Sequence, residues 1–561
     1  MSEFHLKTIR NLWYCKTCES EKDLPTVSRC KSQHPESLER VLSSNGTEVA
    51  TEKCDQKITN FSEIKSDDLN QLVMTECILV QLSELSMYNI EKTYICPERG
   101  CNSSYTMYAD DYKEIYQKDT YGSCQHHEGQ PLKYNRENRI TGDLRKVMFQ
   151  EPTDTGSVNP RSIKAHLTGK NARMELNAGK KYRIICRVLT TIDSKKNDDD
   201  FVLDVIQIRC LDQKTNEQPS ALEIQMYRDM DQTKIVESLA PNVINRTDIK
   251  LASLISLLSG GREDGNRWDM SVLFVGDPST GKSAILDKLK QLDKRSFKIS
   301  GRSTSSAGMV MGVDNLADGT RMAKFGPVIL ANGSYVCIDE LDKMRPEDQS
   351  SLHDVMESQV AHLNKVGINL TMPARTKIVG AANPIGSNWN IEKTVMQNIN
   401  MPASFIARFG YVFLLLNNFT EEMEDEQYEA MEYITDNSIE DFIAKEKLLS
   451  EYELMKFINY ANLLDPKFDE GVFKHIRLSF RDISKNSKNR GKVNIDTRAF
   501  EDIKRGAYAF AKLGLSERVT KEHAQQALDL YQRSLDSFGV SSKEEHDRIH
   551  MTEPMKLETL D

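Results

Sequence analysis

The chain has little that would carry it into or across a membrane. Among its 561 residues there is no run of 18 apolar ones. Its first stretch, MSEFHLKTIRNLWYCKTC, lacks an apolar signal core followed by a cleavage site. The expectation is a soluble chain that stays where it is made and has no membrane partner. Cysteine is also scarce: 11 in 561 residues are too few for a disulfide scaffold, and several are grouped at spacings that suit metal, which points to a reducing compartment. Positive charge is in deficit. A formal net charge of −10 excludes a polyanion binder held by bulk charge, so any DNA contact must come from local basic patches or a basic pore.

What is present is ordinary in bulk, with 39% hydrophobic and 28% charged residues. At roughly 100 to 200 residues per domain there is room for about three domains. The local signals are less ordinary. In SVLFVGDPSTGKSAILDKL, Val272 to Val275 reads as a short buried strand, and Ala284 to Leu289 carries apolar residues at helical spacing. Between them Gly276, Asp277, Pro278, Ser279, Thr280, Gly281, Lys282 and Ser283 fit G-x-x-x-x-G-K-[ST], a phosphate-binding loop. Only a glycine-rich turn lets successive backbone N–H groups close around nucleotide phosphates; Lys282 is expected at the β/γ-phosphates and the Ser283 hydroxyl on Mg²⁺.

Downstream, GSYVCIDELDKM places a second buried strand, Tyr335 to Ile338, that ends in Asp339 and Glu340. Two carboxylates at a strand end suit two tasks: Asp339 to hold the Mg²⁺ shell, and Glu340 to polarise an attacking water. A third apolar strand in TKIVGAANP ends at Asn383, whose amide is suited to orienting that water. Arg408 in FIARFGYVF and Arg498 in NIDTRAFEDI are surplus to a site that already has Lys282 and Mg²⁺. They suggest cations delivered across a subunit interface, although each taken alone reads better as a surface ion pair.

The order and wording of FVGDPSTGKS, SGRSTSSAGM, GPVILANGSYVCIDELDKM, VMESQVAHLNKVGINLTMPARTKIVGAANP, MPASFIARFG and NIDTRAFEDIKRGAYAFAKLGL resemble the minichromosome maintenance (MCM) replicative helicases of the AAA+ class over roughly residues 240 to 540. The resemblance implies Walker A at Gly276 to Ser283, Walker B at Asp339 and Glu340, sensor 1 at Asn383, an arginine finger at Arg408 and sensor 2 at Arg498. In that family the last two act on a neighbour's nucleotide. It further implies ATP as cofactor and a ring, a homo-hexamer or a hetero-hexamer with other MCM-like chains. The ring would act on single-stranded and forked DNA alongside replication proteins. Lys365 in HLNKVGI falls where the family carries the pore-hairpin lysine that grips single-stranded DNA; without the resemblance it reads as a solvated hairpin lysine.

Upstream, two blocks of alternating apolar and polar residues, around 61–101 and 177–213, suggest a small Greek-key barrel with an insertion between its halves. The segment MFQEPTDTGSVNPRSIKAHLTG extends the resemblance forward to about residue 60. In the insertion Cys96, Cys101, Cys124 and His127 form a Cys-x4-Cys followed by Cys-x-x-His, a tetrahedral zinc pattern in which His126 is an alternative ligand and a metal-free set of thiols the other reading. Cys15, Cys18, Cys30 and His34 form a second group, read as a zinc knuckle or ribbon in preference to a redox pair because no βαβ pattern surrounds it.

The expected architecture is therefore multidomain: a zinc module (1–55), an OB-type β-barrel (56–215) with a zinc-binding insertion (about 94–130), a linker (216–245), an AAA+ α/β P-loop core (246–425), a C-terminal helical lid (426–540) and a polar tail (541–561). Four features depart from the family. The chain opens with a short Cys/His module in place of a helical subdomain and closes with a polar tail in place of a winged helix. The finger motif, usually Ser-Arg-Phe-Asp, is Ala407, Arg408, Phe409, Gly410, and the barrel hairpin SKKNDDDF sets two lysines against three aspartates. The basic run Lys474 to Lys492 reads as a solvated loop ahead of the sensor 2 helix. The expected function is an ATP-dependent DNA helicase, nuclear in a eukaryote or cytoplasmic and nucleoid-associated in a prokaryote. The alternatives are a non-helicase, DNA-binding or ring-assembly relative, and a generic AAA+ remodeller.

Overall fold

Alternating side chains build the front of the chain and helical periodicity the back. The structure, a computed structural model, describes residues 58–538 apart from 70, 109–119, 128, 136–139, 153–159, 194–197, 212–218, 263–265, 316–320, 366–367, 387, 391–392, 394, 418–420 and 491–496, together with three short strands ahead of them. Of those three, Trp13–Cys15 pairs antiparallel with Ser20–Lys22 and with Leu38–Arg40. Cys18, Cys30 and His34 lie outside the described residues, and of Cys15 only the backbone is described. Two compact units follow from the contacts: residues 1–212 with 313–324 and 365–368, and the remainder.

In the first unit Leu72–Leu82 pairs with Lys181–Asp193, which pairs with Asp198–Cys210. That strand runs parallel to Ser162–Thr168, which pairs with Ile140–Gln150, and the last returns to Leu72–Leu82. Five strands thus close on one another in a barrel-like ring of pairings that leaves no open edge among them. Period-2 alternation drives it: Leu79, Phe149, Ala165, Leu167, Ile184, Val188 and Leu203 are fully buried, each large one worth roughly 1.5–3 kcal/mol of transfer free energy. Ser86–Ile95 pairs with Ile140–Gln150 and continues into an arm with Ser104–Tyr108, Pro131–Tyr134 and Thr120–Ser123. Residues 313–324, which lie within the stretch expected as the ATPase core, group by their contacts with the barrel, because the strand Arg321–Phe325 adds to Leu72–Leu82 through Ala323 and Lys324.

The second unit is built on five parallel strands in the order Phe297–Ser300, Tyr335–Asp339, Lys377–Ala382, Val272–Gly276, Tyr411–Leu415. Four of the strands are buried almost throughout, as a sheet covered on both faces must be, while the edge strand Phe297–Ser300 is half-buried. The helix Lys282–Leu292 covers one face with Ile285, Leu286, Leu289 and Leu292. Residues 216–245, read as a linker, instead carry the helices Ala221–Asp229 and Gln232–Glu237. Tyr227, Ile235, Val236 and Leu239 are buried in the same core as the sheet, so the stretch from Ala221 onward belongs to the domain.

The lid packs the helices Glu451–Ala461, Val472–Arg490, Thr497–Leu513 and Lys521–Ser537. The second of these corrects another reading, because Lys474 to Arg490 is helical and not a loop. Val472 and Ile476 are fully buried and Phe480 and Ile483 pack beside them, an apolar stripe at helical spacing that fixes the helix against the lid. Among the described residues no helix is long and apolar enough to cross a membrane.

Candidate functional site

The phosphate loop leaves the sheet where the backbone leaves no room for a side chain. A Cβ on Gly276 would lie 1.9 Å from the Leu415 carbonyl oxygen, and Gly281 has φ of 85°, so both glycines are required. The loop is braced from outside: Asp277 Oδ1 accepts from the Trp389 N–H at 2.7 Å and its Oδ2 from the Asn417 N–H at 3.3 Å. The Asp277 carboxylate is thus a strut, and what it offers a nucleotide is its backbone. Pro278 and Ser279 are exposed at the tip, and Thr280 donates to the Asp277 carbonyl at 2.9 Å.

Lys282, the first residue of its helix, is buried and donates to the Gly276 and Asp277 carbonyls at 2.8 and 2.6 Å and to Thr280 Oγ1 at 3.0 Å. Burial lowers its ammonium to about 8, against the opposing pull of Asp277 and Asp339. Ser283, next along, is exposed.

Across the sheet, Asp339 closes the strand Tyr335–Asp339 and Glu340 follows in the left-handed region with φ of 53°. Ser279 and Glu340 are two of the six non-glycine residues with positive φ among those described, so the site holds part of the chain's backbone strain. Asp339 Oδ1 accepts from the Glu340 N–H at 2.9 Å. Two partners come from the neighbouring strand Phe297–Ser300. Ser300 donates to Glu340 Oε2 at 2.9 Å, and Lys298 Nζ lies 3.8 Å from Asp339 Oδ2 and 2.7 Å from Asp287 Oδ1. Lys298, Ile299, Ser300, Asp339 and Glu340 line a cleft of about 350 Å³. Sequence reasoning missed Lys298 and Ser300, which sit on no motif; their alternate placement on a strand beside the acidic pair is what gives them away. Asn383 follows the third strand, its N–H donating to Asp342 Oδ1 at 2.9 Å.

The two arginines are brought together. Arg498 donates to the Ala407 carbonyl at 3.5 Å, next to Arg408. Arg408, itself largely buried, donates through Nε to His353 Nε2 at 2.9 Å and pairs with Glu357, both on the helix Pro346–Ser358. With Ala407 and Gly410 as neighbours, Arg408 takes its polar partners from that helix.

Comparison with known proteins bears on this geometry. Residues 221–438 match the MCM P-loop domain and residues 452–535 the MCM AAA-lid domain. The chain belongs to the MCM family. It is 26% identical over 518 residues to the DNA replication licensing factor mcm4 of Xenopus tropicalis, covering 85% of this chain and 58% of that protein. To mcm7 of the same frog it is 25% identical over 511 residues, with coverage of 85% and 69%. To mcm-6 of Caenorhabditis briggsae it is 29% identical over 313 residues, with coverage of 54% and 38%. The chain thus spans from about two-fifths to about two-thirds of the relatives it matches.

Two further sites were expected of this MCM chain. Cys96, Cys101, Cys124 and His127 converge on the arm, each offering one ligand atom within 4.8 Å of the others. Cys101 Sγ lies 3.6 Å from Cys124 Sγ, and His127 Nδ1 lies 3.7 and 3.5 Å from the sulfurs of Cys96 and Cys124. Ligands about 2.1–2.3 Å from a tetrahedral zinc are separated by about 3.5–3.8 Å, so the donor set fits that ion. The histidine that converges with the three sulfurs is His127, while His126 supplies its backbone N–H to Cys124 Sγ at 3.3 Å. Lys365 ends the strand Val360–Lys365 of a hairpin with Ile368–Pro373 and is exposed; the tip, 366–367, lies outside the described residues.

Proposed function

We propose that this MCM-family chain is an ATP hydrolase that works as a ring, translocates on single-stranded DNA and separates duplex during replication. The observation that carries the reading is the set of groups at one end of the parallel sheet: Lys282 in the phosphate loop, and Asp339 with Glu340 on a strand end. A relative that only bound nucleotide would have no need of Glu340. Ser283 and Asp339 are suited to hold Mg²⁺, which supplies charge neutralisation to the phosphates when bound. Lys282 binds and orients the phosphates, Glu340 draws the proton of the attacking water, Asn383 orients that water, and Arg408 with Arg498 serve a neighbour's site. The barrel is read as OB-type and its arm as a zinc site that stiffens it. Lys365 is assigned to the DNA backbone inside the ring.

Likeness to three different licensing factors, mcm4, mcm6 and mcm7, supports assembly either with other MCM-like chains or among copies of this one. The working place is then where the DNA is, the nucleus in a eukaryote. Turnover measured with and without single-stranded DNA, beside mass by light scattering, tests the reading. The expected result is an assembled chain whose turnover rises with DNA and vanishes in Glu340→Gln while nucleotide binding remains. A monomer without DNA-stimulated turnover would overturn it.

A further inference from the structure

The corrected helix Val472–Arg490 raises a question of charge. Its inner stripe is buried in the lid, while Lys474, Arg477, Leu478 and Arg481 are exposed at i, i+3, i+4 and i+7, one face of the helix. Among the described residues none of these three cations has an ion-pair partner, although other cations of the same unit are paired. From Lys474 to Lys492 the sequence has seven Lys or Arg against Asp482 alone.

The opposite charge stands on another helix of the same unit. Glu421–Asp436 carries eight carboxylates and no lysine or arginine. Its Asp425, Tyr428, Glu429 and Glu432 are exposed at the same i, i+3, i+4, i+7 spacing, again without an ion pair among the described residues. Each helix therefore shows three like charges around one exposed apolar side chain, Leu478 at 48% and Tyr428 at 66% exposure. Like charges at helical spacing repel, so each row costs its own helix stability until something neutralises it.

We propose that these two faces are the two halves of one interface between neighbouring copies of this chain: the basic row on the lid of one docks on the acidic row of the next. Their places in the fold support this. The basic helix packs beside Arg498 through Phe480 against Phe500, with ring centroids 6.1 Å apart. Arg498 in turn touches the carbonyl next to Arg408. The acidic helix begins four residues after Asn417, whose N–H is held by Asp277 of the phosphate loop. Four residues span at most about 14 Å, so this helix starts close to that loop. Bringing the arginines of one copy to the phosphate loop of the next carries the basic row to the acidic row. The interface is heterologous, as a ring requires. The inference rests on the trans reading of Arg408 proposed above.

Charge reversal tests it. Lys474, Arg477 and Arg481 changed together to Glu gives a chain with two acidic rows; Asp425, Glu429 and Glu432 changed together to Lys gives one with two basic rows. Either alone should raise the concentration for half-assembly about tenfold or more, the scale expected when several exposed pairs turn repulsive. An equimolar mixture restores an attractive pair at every joint of an alternating ring and should assemble like the parent, with circular dichroism and nucleotide binding showing each variant folded. If both variants assemble like the parent, or the mixture stays as weak as its parts, the inference is overturned. Mixing of phosphate-loop and finger variants would still decide the trans reading. A parent that is monomeric at every concentration overturns the inference, and so does a basic-row variant that loses only binding to duplex DNA, which would assign that row to nucleic acid.

Discussion

Lys282 shows what a motif conveys and what it leaves out. The spacing of Gly276, Gly281 and Lys282 was enough to read a phosphate loop, because few sequences satisfy the close approach at Leu415 and the positive φ at Gly281 together. That the lysine is buried among carbonyls and lowered to about 8 depends on the surrounding fold and was not legible. The shift has a consequence for binding. Below about pH 8 the free site already carries the ammonium an anion needs; above it, binding must take up a proton. Nucleotide affinity should therefore fall about tenfold between pH 7 and pH 9 at saturating Mg²⁺. Lys282→Arg, charged throughout, should show only the phosphate's own titration over that range. Equal pH profiles for the two proteins, measured with a fluorescent nucleotide, would contradict the assignment. Ser300 and Lys298 escaped the sequence for a different reason. They lie some forty residues before Asp339 and meet it only because their strand is its neighbour in the sheet.

Among elements, those announced by dense periodic patterns were legible and those announced by sparse ones were not. The strands Val272–Gly276, Tyr335–Asp339 and Lys377–Ala382 are continuous apolar runs. In Val472–Arg490 the charges hide an apolar stripe at Val472, Ile476, Phe480 and Ile483 that is nonetheless helical in spacing. In 216–245 the signal was local chemistry: Ser220 and Glu223 form a capping box and Asp231 caps the next helix, yet the segment is too polar to read as core. The Cys/His cluster of the arm was legible because four ligands at metal spacing are rarely accidental, and the choice of His127 over His126 needed the turn itself. Cys124 sits where burial opposes ionisation but the His126 N–H and the His127 ring outweigh it, lowering its thiol to about 5 and readying it as a ligand. Metal analysis of the full chain should lose about one zinc on Cys101→Ser with Cys124→Ser, with nucleotide affinity unchanged because the phosphate loop belongs to the other unit. An unchanged zinc content would mean that the cluster is a packed set of thiols.

In the whole molecule, one chain either completes its own site or shares it with a neighbour. Arg408 lacks the polar neighbours its family motif usually has, and draws its partners from His353 and Glu357 on its own chain. A guanidinium so held is oriented and still able to exchange a carboxylate for a phosphate. An arginine finger commonly contributes ~10³-fold or more to turnover. Arg408→Ala and Lys282→Ala should each be nearly inactive, one lacking every finger and the other every phosphate loop. Whether the site is shared is decided by the turnover of the two variants mixed and given time to exchange subunits. If the site is shared, some joints of the mixed assembly pair an intact phosphate loop with an intact finger, and activity well above either parent returns. If the mixture is as inactive as its parts while the two chains demonstrably co-assemble, Arg408 does not act on a neighbour, and the shared-site ring is contradicted.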